Sequence, residues 1–180
     1  MVYVFLAEGF EEIEALAVVD ILRRGNISVQ TVSITNEKEV AGAHNIFVTA
    51  DITIDEITDV PFCVVLPGGL PGTTNLAKSQ KVEKIVKAVN DNGGIVAAIC
   101  AAPSALYGFG VLSGKRATSY PGYEKQMPEC IYTENTVEID GNIITSRGPG
   151  TAHNFAFALL EKMAGKEMAE KIYKAMQYKN

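Results

Sequence analysis

Short, dense apolar runs alternate along this chain with longer stretches in which apolar positions recur at helical spacing. Val2 to Ala7 is a run of the first kind and predicts a buried strand. From Glu11 to Arg24 the period changes. Ile13, Leu16, Ala17 and Ile21, with Val19, predict one face of a helix. Glu11, Glu12 and Glu14 crowd its first turns, where the helix dipole favours negative charge. Arg23 and Arg24 stand at the other end, before the stop Gly25-Asn26. Ser28 to Ile34 alternates and is rich in β-branched residues, so it predicts a second strand. The polar segment 36–45 reads as a loop, 46–50 as a short strand and 51–59 as an acidic connection.

Phe62 to Leu66 is another buried strand, ending in Pro67-Gly68-Gly69. Val82, Ile85, Val86 and Val89 place a helix over Lys81 to Asn90, closed by Gly93-Gly94. Ile95 to Ile99 predicts a strand, and a helix is expected to start just after Cys100 and run through Leu106. Asp140-Gly141 between two β-rich runs is a hairpin signal. Helices over Ala152 to Ala164 and Glu167 to Met176 close the chain. Strand-helix-strand alternation predicts an α/β fold, with a mostly parallel sheet, helices on both faces and a C-terminal hairpin. Ligands of such sheets bind beyond the carboxyl ends of the strands.

The length, 180 residues, suits one domain spanning 1–180. Hydrophobic residues make up 47% and charged residues 21%, a balance that excludes a disordered chain. Asp plus Glu is 21 against 16 Lys plus Arg, a net charge of -5. That acidity argues against nucleic acid or an anionic membrane as partner. No apolar stretch reaches the ~18 residues of a membrane span, and the N-terminus lacks a signal peptide's basic start. Three cysteines are too few and too odd for a disulfide scaffold, so a cytoplasmic location is expected.

Candidate chemistry collects at three strand ends. Cys100 leaves a buried strand and turns at once toward a helix, as a nucleophile elbow exposes its side chain. The nearby helix N-terminus is expected to favour thiolate. Cys63 lies within a strand and reads as core, and Cys130 as incidental. Glycines in Pro67-Gly68-Gly69-Leu70-Pro71-Gly72 allow close backbone approach, so the N–H groups of Gly69 and Ala101 are candidates for an oxyanion hole. Glu14 sits between Ile13 and Ala15. If it faces inward beside Cys100, burial and like charge would keep it protonated and able to donate to sulfur.

Glu11-Glu12-Ile13-Glu14, Leu66-Pro67-Gly68-Gly69, Ala98-Ile99-Cys100-Ala101 and Thr145-Ser146-Arg147-Gly148-Pro149-Gly150-Thr151 resemble, in order, the motifs of the ThiJ/PfpI superfamily, closest to its DJ-one branch. The resemblance implies a flavodoxin-like sandwich, a homodimer, and a reactive Cys100 partnered by protonated Glu14. It implies an oxyanion-type N–H at Gly69, and Arg24, Arg147, Pro149 and Gly150 near the site. It calls for no cofactor and no metal. One departure stands out. Relatives often carry histidine where this chain has Tyr120, and peptidases of the superfamily carry it where Ala101 stands. The remaining histidines, His44 in a polar loop and His153 in a helix, read as a solvated and a packing residue. A Cys-His dyad is therefore unsupported, and peptidase activity is the weakest reading.

The function expected is that of a cysteine-dependent glyoxalase or deglycase acting on small reactive carbonyls. The alternative is an oxidative-stress redox sensor or chaperone without turnover, in which Cys100 oxidises to the sulfinic acid.

Overall fold

The computed structural model of the protein describes residues 1–178. In chain order the elements are β1 (Val2–Leu6), α1 (Glu12–Arg24), β2 (Val29–Ser33), β3 (Glu39–Ala41), β4 (Phe47–Thr49), β5 (Ile52–Thr53) and β6 (Cys63–Leu66). There follow α2 (Gly72–Lys78), α3 (Gln80–Asp91), β7 (Ile95–Ile99), α4 (Pro103–Gly108), β8 (Arg116–Ala117) and β9 (Ile131–Tyr132). The chain closes with β10 (Val137–Asp140), β11 (Ile143–Ser146), α5 (Ala152–Ala164) and α6 (Lys166–Ala175).

Seven strands form one sheet in the order β10-β11-β7-β6-β1-β2-β5. Every pair is parallel except β10 with β11. From β1 the chain builds outward to β2 and β5, then returns to build β6, β7 and β11 on the other side. The order therefore reverses between β1 and β6, which opens a crevice at their carboxyl ends. Alternate residues of each strand feed opposite cores, because strand side chains have a period of two. Val4, Leu6, Val65, Ala97 and Ile99 pack with α1, α5 and α6. Phe5, Val64, Leu66, Val96 and Ala98 pack with Leu76 of α2, with Val82, Val86 and Val89 of α3, and with Leu106 of α4. This is an α/β flavodoxin-like sandwich.

Several expectations need correction. In α1 the buried residues include Ala15, Val18, Val19, Ile21 and Leu22, while Ile13 and Leu16 are exposed at 53% and 37%. The helix is wedged between the sheet and α5 (through Leu159 and Leu160, among others), and that packing selects its inner face. Segment 36–45 is not simply a loop, since it holds β3, which pairs antiparallel with β4. Segment 51–59 supplies β5, the edge of the sheet, and a 3₁₀ turn over Ile54–Glu56. Helix α2 is an element that the hydrophobic pattern does not predict. The hairpin turn is Gly141-Asn142, since Asp140 pairs with Ile143 as the last strand residue. The helix after Cys100 begins only at Pro103, after two turn residues.

Candidate functional site

Cys100 is the first residue past β7, and its backbone takes φ 65, a left-handed conformation that a residue with a Cβ adopts only under constraint. Two long-range bonds impose it. Cys100 N–H donates to the Ser146 carbonyl at 3.0 Å, and its carbonyl accepts from Tyr120 N–H at 2.8 Å. The elbow thus hangs between β11 and the segment that carries Tyr120.

The glycines after β6 bring a second wall against it. A Cβ on Gly68 would lie 2.6 Å from Cys100 Cβ and 2.7 Å from Glu14 Oε2. A Cβ on Gly69, at φ 88, would lie 2.4 Å from the backbone of both Gly9 and Glu11. Only glycine lets the three strand ends approach so closely. Gly68 then makes two bonds to the start of α1: its carbonyl accepts from Glu11 N–H at 2.9 Å, and its N–H donates to Glu14 Oε2 at 2.7 Å.

Glu14 is completely buried, and its Oε1 has no hydrogen-bond partner. Burial pushes its carboxyl up to about 7, while the Gly68 N–H and the Cys100 thiol pull the other way. Oε2 is already engaged by an N–H donor, so a proton on the carboxyl belongs on Oε1. The thiol differs from the thiolate expected. Burial pushes Cys100 up to about 12, and the charge of Glu14 and its bond to the thiol act in the same direction. Backbone N–H groups of Ala101 and Gly69 pull against them. When Glu14 holds the proton, its charge vanishes, and with it one of the causes that raise the Cys100 thiol. The two groups are therefore a coupled pair, in which the charge of Glu14 disfavours ionisation of Cys100.

Cys100, Gly69, Ala101 and Tyr120 line a cavity of about 320 Å³ together with Leu70 and Tyr123. Tyr120 is half exposed at its mouth. Tyr123 has no signal in the sequence, because it lies in a polar stretch with neither strand nor helix periodicity. Arg24 requires correction. It closes α1 about 15 Å along the axis from Glu14, exposed and bonded to Asp20 at 2.7 Å. Arg147 follows β11, but its guanidinium donates to the Glu134 carbonyl at 3.1 Å. Pro149 and Gly150 form a 3₁₀ turn leading into α5 and do not line the cavity. Gly148 is the residue of that loop that approaches the Tyr120 ring. His153 packs edge-on against Tyr178, with centroids 5.6 Å apart, so it does not fold into the cavity. Cys63 is buried core, and the Cys130 thiol bonds the Leu112 carbonyl at 3.2 Å.

His44 is more than a solvated loop residue. Its Nδ1 lies 2.8 Å from Glu12 Oε2 and its backbone N–H donates to Glu12 Oε1 at 2.7 Å, which ties the β3–β4 turn to α1. The Glu12 bond, with the charges of Glu11 and Glu12, raises the His44 imidazole above its ordinary value. Donor atoms of Glu11, Glu12 and His44 lie within 4.8 Å of one another, the one such grouping among the described residues. The Glu12 oxygens there are already taken by His44.

Comparison with known proteins gives the family and the same overall fold. Residues 1–162 match the model of the DJ-1/PfpI family. The chain is 42% identical over 170 residues to Protein DJ-1 homolog B of Arabidopsis thaliana, covering 93% of this chain but only 39% of that protein, so it spans less than half of that relative's length. It is 31% identical over 172 residues to a Caenorhabditis elegans protein named as a glutathione-independent glyoxalase, covering 94% of this chain and 91% of the relative. The crystal structure of Drosophila melanogaster DJ-1beta superposes with a TM-score of 0.96 at 38% identity, covering 99% of this chain and 98% of the other. With a family model matched over most of its length, relatives of about 40% identity and a superposable fold, the chain belongs to the DJ-1/PfpI family.

Proposed function

We propose that the chain is a cofactor-independent enzyme for small reactive carbonyls, converting an α-oxoaldehyde such as methylglyoxal and water to the corresponding 2-hydroxy acid. The observation that carries this reading is the buried, readily protonated Glu14 carboxyl against the Cys100 thiol at the floor of an open cavity. As proton acceptor, Glu14 takes the thiol proton while sulfur adds to the aldehyde carbon. The resulting hemithioacetal oxygen takes a proton, with the N–H groups of Gly69 and Ala101 beside the sulfur to steady its developing charge. Moving a proton from the former aldehyde carbon to the neighbouring carbonyl carbon yields a thioester of the hydroxy acid. Water then cleaves the carbon–sulfur bond, releasing the acid and regenerating the thiol. Oxidation at one carbon balances reduction at the next, so no external oxidant or reductant is needed. Deglycation of an amine adduct of the same carbonyl would use the same nucleophile and proton carrier. The name of the Caenorhabditis elegans relative supports this class of reaction.

The test is methylglyoxal turnover by the native chain against Cys100→Ser, with buffer and free-thiol controls. Turnover lost in Cys100→Ser is expected, and equal turnover in the two sinks the proposal. Two backbone N–H groups near sulfur also suit added sulfur oxygens, which supports redox sensing as the second reading. Native protein that forms a Cys100 sulfinate under limited peroxide yet turns over no carbonyl would favour it. The exposed Ile13 and Leu16 support self-association into a homodimer, which sedimentation at micromolar protein would test. A cytoplasmic setting suits three free cysteines. No helix among the described residues is long and apolar enough to cross a membrane.

A further inference from the structure

Beside the Cys100 cavity lies a second one, of about 260 Å³, that shares Leu70 and Tyr123 with it. The two differ in chemistry. Around Cys100 the side chains are apolar or aromatic. The neighbouring chamber is lined by Thr73, Thr74, Ser104 and Gln126, with Ala77. None of the residues lining either cavity carries a charged side chain. Thr73 is buried, and its Oγ1 has no hydrogen-bond partner. Ser104 Oγ donates to the Ala101 carbonyl at 2.7 Å, which leaves its lone pairs able to accept and ties the chamber to the turn that follows Cys100. Leu70, shared by the two spaces, is 58% exposed.

Methylglyoxal, with only a methyl beyond its two carbonyls, has nothing to place beyond Leu70. Building on the carbonyl-processing reading of Cys100, we infer that the second chamber is a subsite for the tail of a longer substrate: an α-oxoaldehyde with an uncharged, polyhydroxylated chain, as sugar breakdown produces. The oxoaldehyde end meets Cys100. The tail passes Leu70 and Tyr123 and exchanges hydrogen bonds with Thr74, Ser104 and Gln126. A phosphate or carboxylate on that tail would meet no cation there and would be poorly held.

Thr74 and Gln126 are exposed, so changes there leave the core intact. The experiment compares kcat/KM for 3-deoxyglucosone and for methylglyoxal in the native chain, Thr74→Val, Gln126→Leu and Cys100→Ser. In Thr74→Val and Gln126→Leu the ratio of 3-deoxyglucosone to methylglyoxal efficiency is expected to fall about three- to tenfold for each hydrogen bond lost. A ratio that stays constant in both variants overturns the subsite, as does a native chain that turns over methylglyoxal but not 3-deoxyglucosone. Both of those outcomes leave the Cys100 reading standing. Methylglyoxal turnover that survives Cys100→Ser overturns that reading and the subsite with it.

Discussion

Replacing Glu14 with glutamine should change how the stability of this chain depends on pH. The folded carboxyl titrates near 7 because it is buried, against an ordinary value of 4.5. A raised carboxyl stabilises the fold while it is protonated in both states. As pH rises past 4.5 the unfolded chain releases this proton first, and the fold loses stability until the folded carboxyl also ionises, near 7. At about 1.4 kcal/mol per pKa unit the total loss is about 3 kcal/mol, of which about 2.5 kcal/mol falls between pH 5 and pH 8. Glutamine has nothing to release, so Glu14→Gln lacks this loss, whatever constant offset its altered hydrogen bonds introduce. The assay is urea unfolding of both proteins at pH 5, 6, 7 and 8, read as the difference in unfolding free energy at each pH. Other titrating groups cancel in that difference. Glu14→Gln should gain on the native chain by about 2.5 kcal/mol across the range, with most of the change complete by about pH 7. A difference that stays flat to within about 0.5 kcal/mol would show that Glu14 ionises as an ordinary carboxyl and is no buried proton carrier.

The same coupling governs reactivity. Cys100 alkylation by iodoacetamide should stay slow at pH 7 and climb to pH 10 without a plateau, and Glu14→Gln, which removes the charge that raises the thiol, should move this limb to lower pH. Since His153 packs on Tyr178, His153→Ala should leave the limb in place. Gly68→Ala forces a Cβ against both Cys100 and Glu14, and should cost at least about 100-fold in turnover while far-UV circular dichroism stays native. His44 should titrate above 6.5 by NMR, and Glu12→Gln should return it toward that value. Its bond to Glu12 holds the imidazolium, so this support for the β3–β4 turn is present below 6.5 and fades as pH rises through the raised midpoint.

The hydrophobic pattern places the strand ends. β1, β6 and β7 are buried on both faces, so they are written as unbroken apolar runs, and whatever follows each run lies at the sheet's carboxyl edge. This is why Cys100, Gly69 and the Glu11–Glu14 stretch can be placed at that edge from the amino-acid pattern, while their adjacency follows from the strand order β7-β6-β1. Local pattern fails where it is ambiguous. α1 carries apolar residues around much of its surface, and only packing against the sheet and α5 turned Ile13 and Leu16 outward. β5 has two residues, too few to show alternation, and became a strand because β2 offered it an edge. Tyr123 entered the cavity because Tyr120 N–H binds the Cys100 carbonyl and brings the whole segment with it. Protonation was decided by tertiary structure alone. Glu14 and the Gly68 N–H that holds it are 54 positions apart, and burial between distant strand ends, not the helix N-terminus beside it in sequence, makes Cys100 a thiol that depends on its neighbour's proton. Charge in a protein follows desolvation, and desolvation is a property of what the fold brings together.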